Sequence, residues 1–179
     1  METRNDLLQK ILTAINGGTA AAGTGWASYG DSVHTSVSPL VIAEGATAVI
    51  TNNAANVINS QLPIGVSSFY DGVTNKITPE NSGDAYMLRI DFSAFTSTQS
   101  GLATLELDIG APQNEILRRG FTFPKGAGLA NKIDVSTSTL IYTLDTFIAN
   151  GGSIELRSDV GSTSIYDITF IISRVHKAR

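Results

Sequence analysis

Three things are scarce in this chain of 179 residues, and each scarcity removes a class of function. Cysteine is absent. A disulfide framework and thiolate metal sites are therefore excluded, so stability has to come from packing or assembly. Charge is low: Asp, Glu, Lys and Arg make up only 16% of residues, against roughly 25% in an ordinary soluble protein. The net charge is −4 and the one adjacent basic pair is Arg118-Arg119. Nucleic-acid binding draws on counter-ion release from a basic stripe, so nucleic acid is not an expected partner. Long apolar runs are missing too. None approaches the ~20 residues of a membrane span, and METRNDLLQK lacks the apolar core of a signal peptide. We expect no membrane contact and a protein made in a cytosol without export of its own.

What is present is a 42% hydrophobic content, enough for a real core, set among Ser, Thr, Asn, Gln and Gly. Those polar residues suit sheets, turns and neutral contact surfaces. The length fits one domain plus a short appendage.

The appendage comes first. Thr3 is placed to cap a helix beginning at Arg4, and Asp6 favours the positive end of its dipole. Leu7, Leu8, Ile11, Leu12 and Ile15 recur at helical spacing, with Leu8, Ile11 and Ile15 as a seam, and Gly17-Gly18 ends the run. A helix of about three turns is marginal in water. Its apolar stripe needs a partner: its own domain, copies of itself, or another protein. GGTAAAGTG follows and reads as a flexible tether. We take 1–18 as an amphipathic anchoring helix, 19–25 as tether and 26–179 as the folded domain.

From Trp26 onward the signals are those of strands, with no second convincing helix. SPLVIAEGATAVITN gives two short apolar runs about a turn at Glu44-Gly45. AYMLRIDFSAF sets Tyr86, Leu88, Ile90 and Phe92 on one face, and Met87, Arg89, Asp91 and Ser93 on the other. LATLELDIG points Leu105, Leu107 and Ile109 inward, with Thr104, Glu106 and Asp108 outward. NKIDVSTSTLIYTLDTFIANGGSIELRSD reads as strands on each side of Asn150-Gly151-Gly152. TSIYDITFIISRVH alternates Ile165, Asp167, Thr169 against Tyr166, Ile168, Phe170, then turns apolar on both faces, which marks a strand central to its sheet or set against another subunit. Eight to ten short strands with turns every 8–12 residues predict an all-β, antiparallel sandwich or barrel.

NKITPENSGDAYMLRIDFSAF resembles the part of tumour-necrosis-factor-like jelly rolls in which an Ile-Thr-Pro strand precedes a glycine turn and a long core strand. YTLDTFIANGGSIELRSD is similar to that family's strand pair about Asn-Gly, and SIYDITFIISRV to its closing central strand. The likeness covers roughly residues 70–175. The whole arrangement also resembles small virion proteins of tailed bacteriophages: a leading helix, a small-residue tether and a Ser/Thr/Asn-rich jelly roll. What these resemblances imply is an antiparallel jelly-roll sandwich, commonly trimeric, serving as capsid decoration or head fibre, or as a receptor-binding tail tip.

The search for chemistry yields little. His34 and His176 lie near opposite ends of the chain and read as exposed strand ends. Glu106 and Asp108 share one strand face, whereas glycosidase carboxylates usually come from different elements, so they read as solvated surface. Glu80 and Asp84 flank the Asn81-Ser82-Gly83 turn, an oxygen-rich loop without EF-hand spacing. PKGAG does not continue as a phosphate loop. No catalytic set, metal ligands or cofactor site is expected. Trp26 and Tyr29 are placed for ligand contact, or else for closing the sandwich where the tether joins it, and Phe69 and Tyr70 are loop aromatics placed for ligand contact. The expected protein is a non-enzymatic virion component: a homotrimer fastened to another virion protein, the major capsid protein, through Leu7, Leu8, Ile11, Leu12 and Ile15. The alternative is a tail tip that binds a host surface glycan.

Overall fold

A computed structural model describes residues 23–110, 115–123 and 126–178. The anchoring helix expected over 1–18 lies outside the described residues.

Among the described residues twelve strands run in chain order: β1 (Gly25–Gly30), β2 (Leu40–Ile42), β3 (Thr47–Val49), β4 (Asn56–Gln61), β5 (Tyr70–Asp71), β6 (Lys76–Ile77), β7 (Ala85–Thr96), β8 (Gly101–Asp108), β9 (Glu115–Phe123), β10 (Ile133–Tyr142), β11 (Gly152–Val160) and β12 (Thr163–His176). They form two six-stranded antiparallel sheets. The first has the order β10-β7-β12-β1-β4, with β2 pairing the early part of β12; the second has the order β5-β6-β11-β8-β9, with β3 beside β11. The two sheets face each other as a jelly-roll sandwich, and the all-β expectation holds.

Alternation explains most of the core. Tyr86, Leu88, Ile90 and Phe92 from β7 meet Leu105 and Leu107 from β8, Ile154 and Leu156 from β11, and Phe170 and Ile172 from β12 in one buried cluster. Aromatic rings pack within it, with Phe69 edge-on to Tyr86 at 5.2 Å and Tyr70 edge-on to Phe170 at 5.3 Å. Such contacts add to what area burial alone contributes. β12 is central, flanked by β7 on one edge and by β1 and β2 on the other.

The two runs about the Glu44-Gly45 turn are strands, and they join different sheets: β2 pairs β12 and β3 pairs β11. The turn carries the chain across the sandwich. Two local readings need correction. First, LDTFIAN is not strand. Asp145–Asn150 forms a short helix, α1, which buries Phe147 and ends at Gly151 (φ 71), whose N–H donates to the Phe147 carbonyl. A left-handed residue there favours glycine. Gly152 follows because a Cβ at that position would come within 2.6 Å of the Phe147 ring. Second, β12 does not alternate throughout. Asp167 sits at φ 54, with a register shift between Tyr166 and Thr169. This bulge changes the phase, so Ile165 and Ile168 both reach the core.

Candidate functional site

At the residue level, the groups singled out by sequence divide into those used inside the fold and those left at its surface. Tyr29 is buried; its hydroxyl accepts the Phe69 N–H at 2.7 Å and lies 3.0 Å from Ser68 Oγ. Phe69 is fully buried. Tyr70 is buried too, and donates to the Asn52 carbonyl and to Asn75 Oδ1. Burial pushes its phenol well above the ordinary value, with the nearby Asp31 and Asp71 charges adding to the rise. These three rings therefore pack in the interior and are not presented to a ligand. Trp26 differs: it stands 38% exposed at the start of β1. Leu7, Leu8, Ile11, Leu12 and Ile15 lie outside the described residues.

His34 is not an exposed strand end. Its side chain is only 14% accessible, and its Nδ1 lies 2.8 Å from Asp31 Oδ2. Its Nε2 lies 3.4 Å from Thr51 Oγ1. Acid, imidazole and hydroxyl thus stand in the order of a hydrolytic triad. The second link is longer than the ~2.7–3.2 Å of a working hydrogen bond. The carboxylate is also fully engaged. Asp31 Oδ2 accepts the backbone N–H groups of Val33 and His34, and Oδ1 accepts that of Asn53. Burial raises the Asp31 pKa, but the hydrogen bonds from the His34 and Asn53 N–H groups and the His34 ring outweigh it and hold the carboxyl below its usual value. The arrangement ties the 31–34 turn to the 51–53 segment. His176 is exposed at the end of β12.

The carboxylate pairs are likewise structural. Glu106, expected on a solvated face, is buried beside Arg118 Nε at 3.3 Å and lies opposite Glu155 across the strands. Glu80 and Asp84 do hold a cation, but the chain supplies it. Arg174 Nη1 lies 2.6 Å from Glu80 Oε2 and 3.3 Å from Asp84 Oδ2. Among the described residues no group of three or more His, Cys, Asp or Glu side chains is arranged to hold a metal ion.

What remains is a surface. The solvent face of the first sheet carries a cross-strand row fixed by register: Leu140 opposite Met87, Met87 opposite Ser173, and Ser173 opposite Trp26. Leu140, Met87 and Trp26 are exposed, as are Tyr142 and Val175 beside them. No member of the row is charged. Sequence alternation placed Met87 outward, but joining it to Trp26 and Leu140 needs the pairing of four strands.

No family model and no curated protein matches the sequence. The fold has known counterparts. A tumour necrosis factor, Eiger from S. frugiperda, superposes with a TM-score of 0.55 at 11% identity, covering 88% of this chain and 96% of that one. The PRD1 vertex protein P5 gives a TM-score of 0.47 at 15% identity, covering 86% of this chain and 99% of that one. A pentameric capsid protein from metagenomic phage sequences gives 0.35 at 10% identity, with 98% and 92% covered. The first of these likenesses is one of fold: the chain is a jelly-roll sandwich similar in shape to a tumour necrosis factor.

Proposed function

We propose that this protein is a non-enzymatic structural component of a virion, a homotrimer of the capsid-decoration or head-fibre kind, fastened to the major capsid protein through residues 1–18. The observation that carries this reading is an uncharged row of exposed apolar side chains, Trp26, Met87 and Leu140, on the solvent face of the first sheet. Its strand β1 begins seven residues after the amphipathic segment. Apolar burial contributes about 25 cal/mol per Å² before association costs are subtracted. Repetition on a symmetric particle multiplies each such contact. Of the acid groups considered for chemistry, Asp31 holds the 31–34 turn, Glu80 and Asp84 hold Arg174, and Glu106 lies beside Arg118.

The rival, a glycan-binding tail tip, loses Tyr29, Phe69 and Tyr70 to the core and keeps only Trp26 of the four aromatics. The test is a chain lacking residues 1–18, incubated with particles and pelleted. It should fold, with unchanged far-UV circular dichroism, and stay in the supernatant. Pelleting of the truncated chain with the particles would sink the attachment reading.

A further inference from the structure

The solvent face of the first sheet carries a second feature, beyond Arg89 on β7. There the register sets Ser136, Asp91, Thr169, Gly30 and Asn56 side by side across five strands. Every side chain in this row is short and Gly30 has none. The row is therefore a trench, ~19 Å long at the usual strand spacing. Two grooves meet in it. Asp91 lines one of about 250 Å³, and Thr169, directly opposite Asp91, lines one of about 520 Å³.

The lining is mostly hydrogen-bonding, with Val57 and Ile58 bounding the β4 end. Ser28 and Asn56 stand toward that end, Ser93 and Asp134 toward the other. Two of the three carboxylates are matched by cations: Asp91 lies 2.9 Å from Arg89 Nε, and Asp134 lies 2.6 Å from Lys132 Nζ. The third, Asp167, is exposed, and no described residue hydrogen bonds to its carboxylate or pairs with it. It lines the trench because of the β12 bulge, at φ 54 with the register shifted about it. That conformation is disfavoured for an L-residue, and bulges recur where a side chain has to be re-aimed.

These features select a class of ligand. Three carboxylates against two cations leave the trench negative, which turns polyanions away. Among the described residues no three acid or imidazole groups are arranged for a metal ion. A pocket for an apolar small molecule is lined by apolar and aromatic side chains, and this one is not. An added peptide strand runs along a sheet edge, whereas the trench crosses the strands. What fits is a neutral ligand dense in hydroxyl groups, which donate to Asp and both donate to and accept from Ser, Thr and Asn. We propose that the trench binds a neutral oligosaccharide, with the Asp167 carboxylate accepting a sugar hydroxyl. The site uses none of Tyr29, Phe69 and Tyr70, and it does not depend on attachment to a particle.

The full chain is screened on an array of neutral and sulfated oligosaccharides. The strongest neutral hit is then titrated by calorimetry into wild type, Asp167→Asn and Thr169→Tyr. Asparagine tolerates the left-handed conformation and removes only the charge. Tyrosine suits a strand and fills the trench floor. Saturable binding of a neutral glycan is expected. It should weaken about tenfold in Asp167→Asn, as for loss of a hydrogen bond to a charged group, and vanish in Thr169→Tyr, with the circular dichroism of both unchanged. An array without a neutral hit, a preference for sulfated chains, or equal affinity in wild type and both variants overturns the proposal. Particle pelleting is a separate readout. A chain that pellets with particles but binds no glycan sinks this inference alone, and one that binds glycan but never pellets sinks attachment alone.

Discussion

Arg174 is the residue on which one end of the sandwich turns. It is 2% exposed, and its guanidinium lies 5.8 Å from the Phe69 ring centre. Burial pulls its pKa down, but the hydrogen bond to Glu80 and the charge and hydroxyl of neighbouring groups lift it above the usual value. Asp84, itself fully buried, also accepts the Tyr86 hydroxyl at 3.2 Å and the Ala178 N–H at 2.8 Å. Burial, and the negative charge of Asp84, push the Tyr86 phenol up to about 12, so it remains a donor throughout the neutral range. Removing one partner of a buried ion pair leaves the other charge uncompensated, which costs about 3–5 kcal/mol. Arg174→Met should therefore lose about that much in urea denaturation, and adding Asp84→Asn should recover a good part of it. A loss under about 1 kcal/mol, the size of an exposed pair, would show that water reaches the cluster.

At the scale of elements, the sequence is legible where a period of two runs unbroken and opaque where long-range pairing decides. β7 was readable because Tyr86, Leu88, Ile90 and Phe92 alternate cleanly and all are buried. The central place of β12 was readable from its apolar second half. Glu106 was misread because its face is covered through neighbours that alternation does not reveal, among them Arg118 from β9. The ligand-contact aromatics failed for the same reason: a ring on a short segment looks the same whether it points in or out. The helix α1 is too short for a helical period to show. Asp167 left one faint sign, a charged residue inside an apolar strand, and its left-handed φ of 54 re-phases β12. That conformation costs an L-residue roughly 1–2 kcal/mol, least for Asp, Asn and Gly. Asp167→Val, although Val favours strands, should therefore destabilise by about 1–2 kcal/mol, while Asp167→Gly should stay within about 1 kcal/mol of wild type. Chemical denaturation of both variants checks this, and a Val variant more stable than wild type would mean that the strand runs without its bulge.

At the scale of the whole molecule, the first and last strands complete each other. β1 pairs with β12 from Gly25 opposite Arg174 to Gly30 opposite Thr169. β12 also pairs β7 along most of its length, and β2 at its start. Without β12 the first sheet falls into separate pieces, β10 with β7 and β1 with β4, and the second sheet loses the face it packs against. Two-stranded pieces are marginal in water, and a fold dominated by such distant pairings forms late and slowly. A chain ending at Val160 should therefore show no cooperative unfolding transition and should aggregate. A chain ending at His176 should fold, because among the hydrogen bonds it forgoes is the Ala178 N–H to Asp84 while the ladder stays whole. Circular dichroism melts of the two truncations separate these outcomes. A cooperative transition in the shorter chain would show that the sandwich closes without its central strand, and the dependence of the first strand on the last would have to be abandoned.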